Sequence, residues 1–335
     1  MKPKKATLDM LAQKIGVSKV TISRALKGQE GVNEELRSII IQTAAEMGYE
    51  LQRLRQPEKP YKFAFVTPNR FFLTTDSFYH PIYYNLNRLC QINRMELLLY
   101  VVDKNDEHLV TIPDQLQDMD GIFVGGELSR MYLAALKNMG KPVVYIDFES
   151  IYHQSDCVIL DNYRLGTTAT EFLIERGYKK IGFVGNKGHS SNSADRIFGY
   201  QKAMEAEGLA IQPEWIIDNY NRDTDSYMLE IVLPQDLPEA FICHCDRAAY
   251  YFMEKLKIEN IKIPEQVALI SFDNTELAEA TTPPLTSVQI DKKAFAEKAF
   301  ELMTNRLRSQ YHDVFQRIYL PAHIIERATT PKRGL

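Results

Sequence analysis

Apolar residues recur along this chain with two different periods. Near the start they fall three or four apart: Leu8, Leu11, Ala12 and Ile15, then Val17, Ile22, Ala25 and Leu26, then Leu36, Ile39, Ile40, Ala44 and Met47. That spacing belongs to helices with one packed face. Further on, short apolar runs take over, at Phe63 to Val66, Leu97 to Val101, Gly121 to Val124, Pro142 to Ile146, Ile181 to Val184, Ala240 to Cys243 and Val267 to Phe272. With amphipathic stretches such as Gly166 to Arg176 and Ile197 to Glu207 between them, these runs predict a parallel sheet wrapped by helices. About 270 residues follow the helical head, more than one sheet domain usually needs, so two lobes are expected.

Local chemistry sharpens the reading of the head. Thr7 is placed to cap a first helix, Gly16 supplies the backbone freedom of a tight turn, and Ser18 caps a second helix. With Val17, Ile22, Ala25 and Leu26 turned inward, the second helix leaves Lys19, Val20, Thr21, Ser23 and Arg24 toward its outer side or first turn. Those side chains suit a duplex. Lys19 and Arg24 neutralise phosphates or donate to guanine, the hydroxyls of Thr21 and Ser23 suit phosphate oxygens, and Val20 matches a thymine methyl. After a loop from Gly28 to Val32, Asn33 with Glu34 and Glu35 opens a third helix that stops at Gly48. An ordinary helical subdomain has the same outline, and charge separates the two. Residues 1–60 carry eleven Lys and Arg against seven Asp and Glu, a net +4, whereas the rest carry 29 against 37, a net −8. A basic head on an acidic body is what counterion release at a phosphate backbone exploits. Lys2, Lys4 and Lys5 read as a basic arm or a solvated tail.

The run from Ala6 to Tyr49, with Gly16-Val17-Ser18, Thr21-Ile22-Ser23-Arg24-Ala25-Leu26, Val32-Asn33 and Met47-Gly48-Tyr49, resembles the DNA-binding domain of the lactose-repressor (LacI/GalR) family of bacterial transcription regulators. Further motifs of the body resemble its effector domain. They are Asp120-Gly121-Ile122, Pro142 to Asp147, Asp161-Asn162-Tyr163, Ser193-Ala194-Asp195-Arg196 with Gly199-Tyr200, Ile263 to Ala268 with Ser271-Phe272-Asp273, and Pro283 to Val288. The resemblance implies an all-α helix-turn-helix head and an α/β periplasmic-binding-protein-like effector domain of two parallel-sheet lobes, each made from two pieces of chain. The expected divisions are residues 1–49 for the head, 50–61 for a hinge or linker, and 62–335 for effector binding and dimerisation.

An open parallel sheet leaves its crevice at the carboxyl ends of its strands, so the effector cleft is expected there. Asp147, Asp161 with Asn162, Asp246 and Asp273 all follow apolar runs. The resemblance implies that Asp147, Arg196 and Asp273 face the ligand, that Asn221 sits near the place of a stacking aromatic with Tyr220 beside it, and that Thr67 to Asn69 add a contact. Arg196, a forked donor after a Gly/Ser/Asn-rich loop, suits sugar hydroxyls or a carboxylate; a surface pair with Asp195 is the alternative. Phe71, Phe72, Phe78, Tyr79, Tyr83 and Tyr84 offer rings for a sugar face or a planar base, or simply pack the core. The helix over about Ile82 to Asn93 is implied to form part of a dimer surface. Family members insert a hinge leucine into the minor groove. Leu54 aligns with it, yet Pro57 and Pro60 stop any hinge helix within two turns. Ile290 stands where the family has a polar ligand contact.

Other function classes find little support. Gly185 to Gly188 has neither the glycine spacing of a dinucleotide fold nor the ending of a phosphate loop, so no enzyme is expected. Cys243-His244-Cys245 is the only cysteine cluster, and on a strand Cys243 and Cys245 share a face with His244 opposite, which favours packing over metal. Neither a cofactor nor a metal is called for. With no apolar run long enough for a membrane and no signal-peptide pattern, the expected location is the cytosol. The expected function is that of a homodimeric repressor bound to double-stranded operator DNA and modulated by a small molecule, a sugar in the first instance, with a nucleobase or a protein partner as alternatives.

Overall fold

The computed structural model describes residues 7–26, 31–47, 49, 60–72, 78–188, 190–308 and 314–333. It divides into two compact units, Met1–Pro60 and Tyr61–Leu335. In the first, helices α1 (Leu8–Ile15), α2 (Lys19–Leu26) and α3 (Glu34–Glu46) enclose a small core of Leu11, Ile22, Ala25, Leu26, Val32, Ile40 and Ala44. Each start has its cap: Thr7 accepts from the Met10 amide, Ser18 Oγ from the Thr21 amide at 3.0 Å, and Asn33 Oδ1 from the Leu36 amide at 2.8 Å. Gly16 takes φ 79° at the turn, where a side chain is strained. Ile39, expected on the packed face of α3, is instead exposed.

The second unit begins with β1 (Lys62–Pro68), α4 (Asn69–Phe72), α5 (Tyr79–Ile92), β2 (Glu96–Val102), α6 (Lys104–Leu109), β3 (Gly121–Gly125), α7 (Arg130–Asn138), β4 (Val143–Ile146) and β5 (Asp156–Ile159). The chain then crosses to build a second lobe from α8 (Asn162–Ile174), β6 (Ile181–Val184), α9 (Ser191–Ala206), β7 (Ile216–Ile217), a hairpin of β8 (Tyr220–Asn221) and β9 (Ser226–Tyr227), β10 (Ala240–Cys243), α10 (Asp246–Ile258), β11 (Ala268–Asp273), α11 (Glu276–Ala280) and β12 (Thr286–Ile290). It returns to the first lobe for α12 (Lys292–Arg308) and β13 (Arg317–Tyr319), and ends in the second with β14 (Ala322–Ile325). The sheet orders are β13-β5-β4-β3-β1-β2 and β14-β12-β11-β10-β6-β7, parallel throughout except where β14 pairs antiparallel with β12.

Alternation along the strands fills both faces of each sheet. Phe63 and Phe65 point to the layer of α5 and α12, while Ala64 and Val66 point to that of α7; in the second lobe Ala240 and Ile242 join the α8 and α9 layer, and Phe241 and Cys243 that of α10. α8 and α9 approach backbone to backbone at Gly199, where any Cβ would collide with the Tyr163 carbonyl. The run Leu97 to Val101 is not the buried central strand it resembles. It is β2, at the sheet edge, with Leu98 and Leu99 exposed. Ile290 is also buried in the core of the first lobe rather than facing the cleft.

Candidate functional site

On the head, Ser18, Lys19, Val20 and Arg24 are exposed, and Thr21 and Ser23 are half-buried on the same helix. Burial of Ile22, Ala25 and Leu26 fixes this polarity, because turning α2 to hide Val20 would expose the small core. Lys19 meets Asp9 of α1 in an exposed ion pair. Ser18 and Thr21 share a hydroxyl contact of 2.8 Å. Thr7 and Asn33 use one side-chain oxygen each as helix caps. Leu54 lies outside the described residues, as do Lys2, Lys4 and Lys5.

Within the second unit a cavity of about 250 Å³ opens between the lobes at the carboxyl ends of the strands. β4 delivers Asp147 and β11 delivers Asp273, with φ of 69° and 100°. Holding two non-glycine residues there costs backbone strain, of the kind that gathers at ligand sites. Tyr79 Oη donates to Asp147 Oδ2 at 2.9 Å, and Asn192 Nδ2 reaches across from α9 to the same oxygen at 2.9 Å and to the Asp147 carbonyl at 2.7 Å. Ser191 adds another interlobe bond, from its amide to Glu127 Oε2 at 2.9 Å. Lys104 adds one more, to the Arg222 carbonyl at 2.8 Å. The lobes are therefore latched together.

Arg196, on α9, is 5% exposed and lies at the centre of this floor. Its Nε donates to Asn162 Oδ1 at 2.9 Å, its Nη1 donates to the His244 carbonyl and stands 4.0 Å from Asp273 Oδ1, and its guanidinium covers the Phe272 ring. Burial pushes the Asp147 carboxyl up to about 7 despite the nearby guanidinium, and pushes Asp246 up to about 6, with Asp273 adding to the latter. Asp273 is raised as well, by burial, with Arg196 and Lys292 opposing. The cavity thus offers carboxylates and guanidinium groups beside ring faces from Phe71, Tyr79, Tyr220 and Tyr227. Such a surface hydrogen-bonds a small polar molecule and stacks on its flat side.

A family model described as bacterial regulatory proteins of the lacI family matches residues 7–51, and a model of a periplasmic binding protein-like domain matches residues 170–330. The chain belongs to the lacI family. It is a DNA-binding regulator of transcription and not an enzyme. Among its curated relatives, the HTH-type transcriptional repressor PurR of Vibrio vulnificus is 27% identical over 319 residues, 92% of this chain and 94% of the relative. PurR of Histophilus somni is 24% identical over 323 residues, 93% of this chain and 96% of that one. Two solved structures share the fold across the chain. The CelR–cellobiose complex has a TM-score of 0.68 at 21% identity, covering 97% of this chain and 99% of that one. The lac repressor dimer bound to operator and the anti-inducer ONPF has 0.66 at 17% identity, covering 98% and 100%.

In this lacI-family regulator the cleft gathers Asp147, Arg196, Tyr220, Asp246 and Asp273. Three expected contacts lie outside its lining. β1 runs on to Pro68 and α4 starts at Asn69, so Thr67 is fully buried in the strand, Asn69 opens the helix, and Arg70 and Phe71 are the residues that reach the cleft. Asn221 holds the β8–β9 hairpin, its Oδ1 accepting from the Asp223 amide at 2.8 Å and the Thr224 amide at 3.2 Å, and the hairpin presents Tyr220 and Tyr227. Asp246 lines the cleft with both oxygens engaged, one by Ser271 and Ser287 and the other by Thr275. Arg196 is a buried anchor rather than the surface partner of Asp195.

The Cys243-His244-Cys245 alternation also breaks. The strand ends at Cys243, which is core, whereas His244 and Cys245 both line the cleft beside Tyr227, whose hydroxyl lies 3.1 Å from Cys245 Sγ. Burial pushes the Cys245 thiol up to about 12, away from the thiolate that binds metal. Asn192, Tyr227 and Glu127 escaped notice in the sequence. Asn192 alone left a trace there, as part of the polar loop before Arg196.

Proposed function

We propose that this chain is a homodimeric repressor that places the Lys19 to Arg24 face of α2 in the major groove of an operator, with affinity set by a compact neutral ligand in the interlobe cleft. The observation that carries the reading is the union in one chain of an exposed basic helix face with a latched two-lobed pocket. Repression agrees with the PurR relatives, which are HTH-type transcriptional repressors. Exposed Tyr84 and Ile92 on α5, beside exposed Leu98 and Leu99 on β2, support pairing through the first lobe, since apolar side chains on an edge strand need a cover.

A cavity of about 250 Å³ lies below the range of about 300–1,000 Å³ usual for ligand pockets, which favours one ring over a disaccharide. Carboxylates beside guanidinium groups match hydroxyls that donate and accept at once, and so a monosaccharide. The several rings of the cleft favour a second reading, a nucleobase. Among the proteins of the same fold, CelR was seen with cellobiose. Thermal-shift titration with galactose, glucose, hypoxanthine and guanine separates the two classes, because a ligand bound only by the folded state raises its melting temperature. Selection from random duplexes tests the head. Purified protein that enriches no sequence and shows no salt-dependent duplex affinity, with or without these compounds, would sink the proposal.

A further inference from the structure

Most charged atoms around the cleft already have partners. Arg196 is held by Asn162 and His244, and Asp246 by Ser271, Ser287 and Thr275. Two buried atoms are different. Among the described residues, Asp147 Oδ1 and Arg247 Nη1 have no hydrogen-bond partner. They belong to opposite lobes, Asp147 following β4 and Arg247 lying in the first turn of α10, and both residues line the cleft. A buried polar atom without a partner costs stability, so a pair of them with opposite charge in one cavity calls for a third party.

We propose that Arg247 is a ligand-binding, specificity-determining residue, and that the effector bridges the lobes by donating to Asp147 Oδ1 and accepting from Arg247 Nη1. This rests on the reading of the cleft as the effector site. It narrows the ligand to an uncharged molecule with a hydroxyl or N–H on one edge and a carbonyl or hydroxyl oxygen on another. Anions are disfavoured, because the lining holds five carboxyl groups against three guanidinium groups. A phosphorylated sugar or nucleotide would find no surplus of cations there to pair with. The bridge also assigns the two lobes separate duties: the first reads a donor, the second an acceptor.

The test uses the full-length protein, Arg247→Met and Arg247→Lys, with galactose, glucose, hypoxanthine and guanine as probes and glucose 6-phosphate as the anionic control. Without any probe, Arg247→Met should melt at or above the parent temperature, because it removes an unpartnered donor and keeps the apolar stem. In calorimetry the probe that binds the parent should bind Arg247→Met about tenfold more weakly or worse, with Arg247→Lys in between. A fall of several degrees in the probe-free melting temperature of Arg247→Met overturns the proposal by making Arg247 structural. Equal affinity of parent and variant overturns it too, while leaving the cleft as the effector site. Tighter binding of glucose 6-phosphate than of glucose overturns the neutral-ligand claim. If no probe binds the parent, the reading of the cleft fails first and the bridge falls with it.

Discussion

Replacing Arg196 by Met should destabilise the second lobe by about 3–5 kcal/mol, the usual range for breaking a buried charged contact from one side. The structure supplies the components. Two buried acceptors, Asn162 Oδ1 and the His244 carbonyl, lose their donor, at about 1–3 kcal/mol each when nothing replaces it. Asp273 loses the cation 4.0 Å away and is left beside Asp246, although protonation relieves part of that cost. Methionine fills some of the volume and keeps an apolar contact with Phe272, which holds the total toward the lower end. The chain has one tryptophan, Trp215, buried next to β7 of the same lobe, so its fluorescence during urea unfolding reports the relevant transition. At a slope of about 3 kcal/mol per molar urea, the midpoint should fall by about 1 M or more. Arg196→Lys, with the charge but not the fork, should fall between. A loss under about 1 kcal/mol would refute the claim that this guanidinium organises the floor of the cleft.

Three further outcomes are expected. Asp147 and Asp246 are held up at about 7 and about 6, so the folded chain keeps protons that the unfolded chain has released. Stability should therefore drop as pH rises from about 4 through 7, and Asp147→Asn should flatten that slope in melting curves; an unchanged slope removes Asp147 as its source. Arg24→Ala should weaken operator binding and, if its contact is to phosphate, lower the salt slope by about 1 in anisotropy titrations, whereas unchanged affinity and slope take Arg24 out of the interface. Gly199→Ala should cost at least about 1–3 kcal/mol, because the added methyl meets the Tyr163 backbone rather than a movable side chain; parent-like unfolding would show that α8 and α9 have room to part.

The head was the most legible part, since caps, the Gly16 turn and the helical period act over a few residues and need no distant partner. Strand positions in both lobes were legible for the same reason. What sequence could not supply was a strand's place within its sheet. Leu97 to Val101 has the apolarity of a central strand, but it occupies an edge. Strand ends were similarly hidden: two more residues of strand, at Thr67 and Pro68, or two fewer than a strand running through Cys245, decide which neighbour faces the cleft. Thus Asp147 and Asp273 were found from strand ends, whereas Tyr227, brought in by a hairpin, and Asn192, brought across from the other lobe, carry no local signature.

The chain passes between the lobes three times, after β5, after β12 and after β13. A fragment ending after β5 would lack α12, whose Arg306 clasps the buried Asp156 at 2.6 and 2.7 Å, and would present the naked margin where β13 should pair. Neither lobe is formed by one uninterrupted stretch of the chain. Conversely, a single nick at any one of the passages leaves two covalent tethers in place, so limited proteolysis there should yield pieces that still migrate as one particle until denaturant is added.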